Sequence, residues 1–416
     1  MLIVHAADLH LDSPMLGLAR YDGAPTSRLR LATRHAFTAL IDQCLELDAR
    51  LLLLAGDLYD GDWRDYTTGL FFLGELARLA DSGCRVLFIR GNHDAQSRIT
   101  RELRLPEHVQ EFDCKHPESK CFEDLGIAVH GQGFARAAVT EDLAAAYPDP
   151  VPGLLNIGLL HTSLGGRPGH EPYAPCSQQR LEDLGYDYWA LGHVHQREVV
   201  SAAPYIVYPG NLQGRHARET GEKGATLLES EGGRIQRVEP LVLDVVRWSN
   251  VEVQLEEVSV LDDALERVEV ALTGARQAAE DRLLAARVTL TGASPLHAVL
   301  AADSDRMLAE VRLIAGALDD VWIEKLRVET RERVELEARA AEDDLLAQVA
   351  RAFDLAAADP EMLADLGAQL GDLRQKLPTE LRQGPEALRL DDEATLVRAL
   401  GEAKQVVLAR LLQREG

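Results

Sequence analysis

Five short motifs follow one another through the first half of the chain, and each stands at the end of an apolar run. LIVHAA leads to Asp8, RLLLLA to Asp57, CRVLFIR to Asn92, LLNIGLL to His161 and DYWAL to His193. Runs this short and continuously apolar read as strands buried on both faces. Helical periodicity fills stretches between them, from Leu29 to Leu47 and from Thr68 to Leu79. Strands alternating with helices predict an α/β fold whose functional groups sit at the carboxyl ends of its strands. Residues far apart in the chain are then expected to converge.

The motifs are DLH at Asp8–His10, GD at Gly56–Asp57, GNHD at Gly91–Asp94, His161 alone, and GHVH at Gly192–His195. Singly they are weak, because Asp-x-His pairs arise by chance and a lone buried His is usually a core residue. In this order, each closing a strand, they read as metal ligands. Carboxylates, imidazoles and one amide oxygen, with no thiolate, suit Mn²⁺, with Fe²⁺ or Zn²⁺ as alternatives, better than Ca²⁺. Asp57 is the lone acidic ligand of its motif and the expected bridge between two ions roughly 3.5–4 Å apart. Two such ions lower the pKa of a shared water to near neutrality and offset charge on phosphoryl oxygens.

ADLHLDSP, GDLYD, RGNHD, LLHTS and ALGHVHQ resemble the calcineurin-like metallophosphoesterase superfamily. Within it they look most like the SbcD-type DNA repair exonucleases, especially the bacterial YhaO-like branch, over residues 1–215. The resemblance implies an α/β two-sheet sandwich with flanking helices over 1–245, and a small α/β capping domain over 246–335. A helical, partner-binding C-terminal region over 336–416 completes the expected arrangement. One ion would be held by Asp8, His10, Asp57 and His195, the second by Asp57, Asn92, His161 and His193. His93 would be the acid/base residue outside the ligands. The implied activity is metal-dependent DNA phosphodiester hydrolysis in repair or end processing, alongside an SbcC-type coiled-coil ATPase; a homodimer is also admitted. Some nuclease relatives carry His three residues after the bridging Asp, where this chain has Asp60. That departure puts the balance of exonucleolytic and endonucleolytic action in doubt.

A further match is YPGNLQGRHARETGEKG, Tyr208 to Gly224, in which Arg215, His216 and Arg218 are candidate contacts to a phosphate backbone. The plainer reading is a structural loop with solvated charges. Residues 250–330 read as strand VEVQLEE, helix Val260–Ala279, strand RVTLT, helix Ser304–Leu318 and strand VWIEKLRV, without ligand clusters. Beyond Glu335 the chain is helical in period and interrupted by Pro360, Pro378 and Pro385. Its apolar stripes are Leu345, Val349 and Phe353, then Leu363, Leu366 and Leu370, then Leu396, Leu400, Val407 and Leu411. Stripes of this kind must be covered, by each other or by a partner.

Charge is the one discordant feature. A chain of 416 residues with net charge −24 is poorly suited to gripping DNA alone. Local basic clusters at Arg28–Arg34, Arg98–Arg104 and Arg215–Arg218 soften the conflict, and a partner supplying the grip would resolve it. A nucleotide or cyclic-nucleotide phosphoesterase with the same motifs is the first alternative, and a non-catalytic DNA-end scaffold the second. The five cysteines are scattered, so Cys114 and Cys121 with His116 are expected as free thiols in a solvated loop rather than as a metal site. Without a signal-like N-terminus or an apolar run of membrane-spanning length, the expected location is the cytoplasm, with no membrane association.

Overall fold

The computed structural model describes residues 1–13, 23–60, 66–96, 104–165, 172–332, 344–370, 376 and 392–414. The chain forms two compact units. The first comprises Met1–Asn250 with Ala275–Ala286 and Asp320–Glu324, and the second comprises Val251–Gly274, Arg287–Asp319 and Lys325–Gly416.

The apolar runs become strands β1 (Leu2–Ala6), β2 (Leu51–Ala55) and β3 (Arg85–Ile89), with helices α1 (Thr26–Glu46) and α2 (Tyr66–Ala77) between them. After β4 (Val109–Glu111), β5 (Glu118–Phe122) and β6 (Ile127–Gly131) come β7 (Leu155–His161), α3 (Gln178–Asp183) and β8 (Tyr188–Gly192). Strands β9 (Glu198–Ala202), β10 (Tyr205–Tyr208), β11 (Gly224–Glu231) and β12 (Arg234–Val242) follow. They form two six-stranded sheets, ordered β12-β11-β1-β2-β3-β4 and β5-β6-β7-β8-β10-β9. In the first, β1 to β4 run parallel and β11 and β12 are antiparallel additions. In the second, β6, β7, β8 and β10 are parallel, with β5 and β9 as antiparallel edges.

Alternation along each strand assigns its side chains to layers. Leu51 and Leu53 of β2 point into the layer between the sheets, beside Leu87, Ile157, Leu159 and Tyr188. Leu52 and Leu54 point the other way, onto Phe37 and Leu40 of α1 and Phe72 and Leu76 of α2. Each such burial contributes roughly 1.5–3 kcal/mol, which is why runs apolar at every position are needed here. A third layer covers the second sheet through Leu160, Trp189, Leu191 and Leu181. One polar strut crosses between the sheets. His5 of β1 donates from Nε2 to the Leu191 carbonyl at 3.2 Å and accepts at Nδ1 from the Tyr188 hydroxyl at 3.0 Å.

Next comes a three-stranded sheet, β13-β14-β15, made of β13 (Val246–Gln254), β14 (Leu283–Ala293) and β15 (Val321–Arg331). Helix α4 (Leu261–Ala278) joins the first two strands, and α5 (His297–Ala302) and α6 (Ser304–Ala317) join the last two. The short α5 is an addition to the expected two-helix pattern. The tail contains α7 (Asp344–Ala358), α8 (Pro360–Gln369) and α9 (Glu393–Arg414). The Asp359 side chain caps α8 by accepting from the Glu361 and Met362 amides. Leu346 and Leu408 join α7 to α9, flanked by Val349, Ala350 and Leu411, and Lys404 pairs with Asp354 at 2.7 Å. Leu363 and Leu396 are buried, but Val407 is partly exposed, so that stripe is not wholly covered. The Leu345 side chain, the stretch 336–343 and the prolines at 378 and 385 lie outside the described residues.

Two expectations need correction. Cys121 lies in edge strand β5 rather than in a loop, and Cys114 is half-buried; no cysteine joins a metal-donor group among the described residues. Two arginines of the Arg28–Arg34 cluster are engaged, since Arg28 pairs with Asp320 and Arg34 holds Asp12 through Nε and Nη2, while Arg30 is exposed. Arg98 and Arg101 lie outside the described residues. No described helix is long and apolar enough to cross a membrane.

Candidate metal centre

Every motif residue stands at or just beyond the carboxyl end of a parallel strand. Asp8 and His10 follow β1, Asp57 follows β2, Asn92 and His93 follow β3, His161 closes β7, and His193 and His195 follow β8. The ends of both sheets therefore deliver their polar groups to one place. The backbone is bent hard to do so. Asp8 (φ 52°), His10 (φ 44°), Asp57 (φ 52°) and His193 (φ 99°) all occupy positive φ, at an expected cost of about 1–3 kcal/mol each. Crossed hydrogen bonds hold these turns: Asp8 N to Gly56 O, His10 N to Asp57 O, and His193 N to both Asp8 carboxylate oxygens at 3.0 and 3.1 Å. Gly91 must be glycine, because a Cβ there would lie 2.2 Å from Asp57 Oδ1.

Three donor groups result among the described residues, one of them formed by His10, Asp60 and His93. Asp8, His10 and His195 bring one ligand atom each within 4.8 Å of one another, and so do Asp57, His161 and His193. The Nε2 atoms of His10 and His195 are 3.2 Å apart, about the spacing of neighbouring nitrogens that each sit roughly 2.1 Å from one ion. In the Asp57 group His161 Nε2 lies 3.0 Å from Asn92 Oδ1 and 3.5 Å from Asp57 Oδ2. Asp57 Oδ2 is also 4.0 Å from His10 Nε2, which places this carboxylate between these two groups. The donor set fits a pair of divalent cations. His10 is held neutral, chiefly by burial and then by the Arg215 charge. Burial raises Asp8 to about 6 against the pull of His195 and His161. Burial alone would also raise Asp57 and lower His161. Their mutual charge and hydrogen bond win, moving Asp57 down and His161 up.

His93 stands beside these donors, its ring 4.9 Å from that of His10. Its Nδ1 is 2.9 Å from Asp60 Oδ1. Burial pulls its pKa down, but the Asp60 hydrogen bond and the charges of Asp57 and Asp60 outweigh that and raise it. Asp60 also accepts from Ser13 and lies 3.4 Å from Arg215.

The sequence assigned no supporting role to the residues that brace these donors. Asp94, fully buried, accepts from the amides of Leu58, Tyr59 and Gly91 and so ties the β2 and β3 loops together. Glu219 accepts from His195 Nδ1 at 2.7 Å, and Lys223 donates to the His195 carbonyl at 2.8 Å. For Asp60 and Asp94 the signal was their place inside quoted motifs; for Glu219 it was one of two carboxylates, with Glu222, inside the Tyr208–Gly224 match. Of the three candidate substrate contacts in that segment, Arg215 is mostly buried and shared between Asp60 and Glu219. His216 and Arg218 are exposed.

Residues 1–197 match the family model for the calcineurin-like phosphoesterases, and residues 248–331 match that for the middle domain of metallophosphoesterase YhaO. The chain belongs to the calcineurin-like metallophosphoesterase family, a family of metal-binding phosphoester hydrolases. It is 34% identical over 299 residues to "Uncharacterized metallophosphoesterase YhaO" of Bacillus subtilis (strain 168), covering 71% of this chain and 72% of that one. It is 25% identical over 354 residues to DNA double-strand break repair protein Mre11 of Methanopyrus kandleri, covering 75% and 70%. The Mre11 of Sulfolobus acidocaldarius is 23% identical over 289 residues, covering 65% and 68%.

Proposed function

We propose that the chain is a dinuclear-metal nuclease that hydrolyses DNA phosphodiesters in repair or end processing. The observation that carries this is the Asp57 carboxylate, 3.5 Å from His161 Nε2 and 4.0 Å from His10 Nε2, shared between two donor groups. Asp8, His10, Asp57 and His195 would hold one ion, and Asp57, Asn92, His161 and His193 the other, with Mn²⁺ the first choice and Fe²⁺ or Zn²⁺ the alternatives. When bound, such ions activate water and offset phosphoryl charge. The protein's own part is to align the donors on bent strand ends and to hold a proton on His93. Paired to Asp60, the His93 imidazolium protonates the leaving oxygen as the ester bond breaks. DNA as substrate is supported by the names of the Mre11 relatives.

The chain would work as three parts, a phosphoesterase domain over 1–245, a capping domain over 246–335 and a helical region over 336–416 that docks an SbcC-type coiled-coil ATPase in the cytoplasm. The exposed Leu355, Met362 and Val406 of α7, α8 and α9 support that docking role. A second reading, a nucleotide or cyclic-nucleotide phosphoesterase, is favoured by charge, because Arg28, Arg34 and Arg215 are engaged by carboxylates. The test is turnover with Mn²⁺ on linear duplex DNA, single-stranded DNA, bis-nitrophenyl phosphate and a nucleotide panel. Cleavage of DNA and of the small diester is expected. Turnover confined to nucleotides would replace the nuclease reading with the second one.

A further inference from the structure

His195 presents two different faces. Its Nε2 looks toward His10 Nε2 at 3.2 Å and Asp8 Oδ1 at 4.0 Å. Its Nδ1 lies 2.7 Å from Glu219 Oε1. The Glu219 carboxylate is buried and meets only donors among its hydrogen-bond partners. Oε1 takes the His195 contact and Arg215 Nη2 at 3.2 Å. Oε2 takes the Arg215 amide at 2.7 Å and Asn211 Nδ2 at 3.0 Å. A carboxylate that accepts from three fixed donors, the Arg215 guanidinium, the Arg215 amide and the Asn211 side chain, is ionised and can only accept. The hydrogen between Glu219 and His195 must therefore sit on Nδ1, leaving the Nε2 lone pair aimed at Asp8 and His10.

We propose that Glu219 is the positioning residue of His195, fixing its tautomer and ring plane so that Nε2 is ready to ligate a cation. The proposal rests on the metal-centre reading above and assigns a role that none of the five motifs contains. The opposite tautomer would set the Nδ1 lone pair against the Glu219 carboxylate at 2.7 Å, and that contact repels. The neighbourhood is braced to keep this arrangement. Lys223 Nζ at 2.8 Å and the Asn211 amide at 3.2 Å pin the His195 carbonyl, while the Glu219 amide closes a turn on the His216 carbonyl at 2.9 Å. An outer carboxylate that orients a ligating imidazole commonly supports metal affinity by 10–100-fold. Arg215 extends the reach of this segment, since Nη1 lies 3.4 Å from Asp60, the carboxylate that holds His93.

The test begins with metal-free protein labelled with ¹⁵N at histidine, with His195 assigned through His195→Gln. Two-bond ¹⁵N–¹H correlations report which ring nitrogen carries the proton, and the wild type is expected to show Nδ1–H. Glu219→Gln, equal in size but with a donor at one end, is expected to populate the Nε2–H form. It should also weaken one of two Mn²⁺ sites about 10–100-fold in titration calorimetry. Glu219→Asp should restore much of that affinity. An Nε2–H tautomer in the wild type overturns the proposal without any variant. Wild-type tautomer and wild-type Mn²⁺ affinity in Glu219→Gln overturn it too. A wild type that bound no Mn²⁺ would defeat the metal-centre reading instead, and the tautomer would still judge Glu219.

Discussion

Asp57 makes the sharpest claim on chemistry, because its Oδ2 is near imidazoles of both donor groups while its Oδ1 accepts the His93 amide at 2.9 Å. Asp57→Ala should therefore lose both metal equivalents and all turnover, whereas His195→Ala should keep one ion. Elemental analysis of the purified variants decides this, and two ions per chain in Asp57→Ala would end the bridging assignment. His93 makes a different claim. Replacing it with Ala should slow turnover by roughly 10²–10⁴-fold with metal content intact. Because its pKa is raised, the working imidazolium is present below that pKa and lost as pH rises through it. Asp60→Asn removes the anion 2.9 Å from Nδ1, so the alkaline limb of the rate profile should move to lower pH. An unmoved limb would detach Asp60 from the proton. The converging donors could be quoted from the sequence because their chemistry restricts residue type. Glu219 and Lys223 could not, since a lone Glu or Lys becomes meaningful only when folding sets it against His195.

Strands were legible where burial is two-sided. β1, β2, β3, β7 and β8 are apolar at nearly every position because each is packed between layers. β5, β9 and β12 gave no such signal, since edge strands with an exposed face carry Glu, Ser, Lys and Arg among their apolar residues. The polar exception within β1, His5, yields a pH prediction. Burial, opposed by its bond to Leu191, lowers its pKa to about 3, and the unfolded value is 6.5. The folded chain thus binds fewer protons in this window. Its contribution is full above pH 6.5 and is lost as pH falls toward 3, with about 2 kcal/mol gone by pH 5. His5→Gln should be less stable at pH 8 yet lose less between pH 7 and 5. Urea midpoints at several pH values measure the difference, and parallel pH dependences would show that His5 does not stay neutral between the sheets.

For the whole molecule the deciding quantity is the distribution of charge, not the completeness of the site. A net charge of −24 repels a polyanion, and the described arginines nearest the centre are already engaged. Arg34 holds Asp12, Arg215 lies between Asp60 and Glu219, and Arg90 holds Glu111. Each phosphate contact contributes about 0.9 to the slope of log affinity against log salt, so few free cations mean a shallow slope. The isolated chain should therefore bind a 30-base-pair duplex no more tightly than about 10⁻⁴ M near physiological salt, with a slope no steeper than about −3. Fluorescence anisotropy without divalent metal, between 50 and 200 mM KCl, reads both quantities. Weak binding combined with measurable Mn²⁺-dependent cleavage would mean that the centre is competent and that the grip comes from another protein, the role assigned above to a coiled-coil ATPase. Submicromolar affinity with a slope near −6 would instead demand a basic surface that Arg34, Arg90 and Arg215 do not supply, and the need for that partner would fall away.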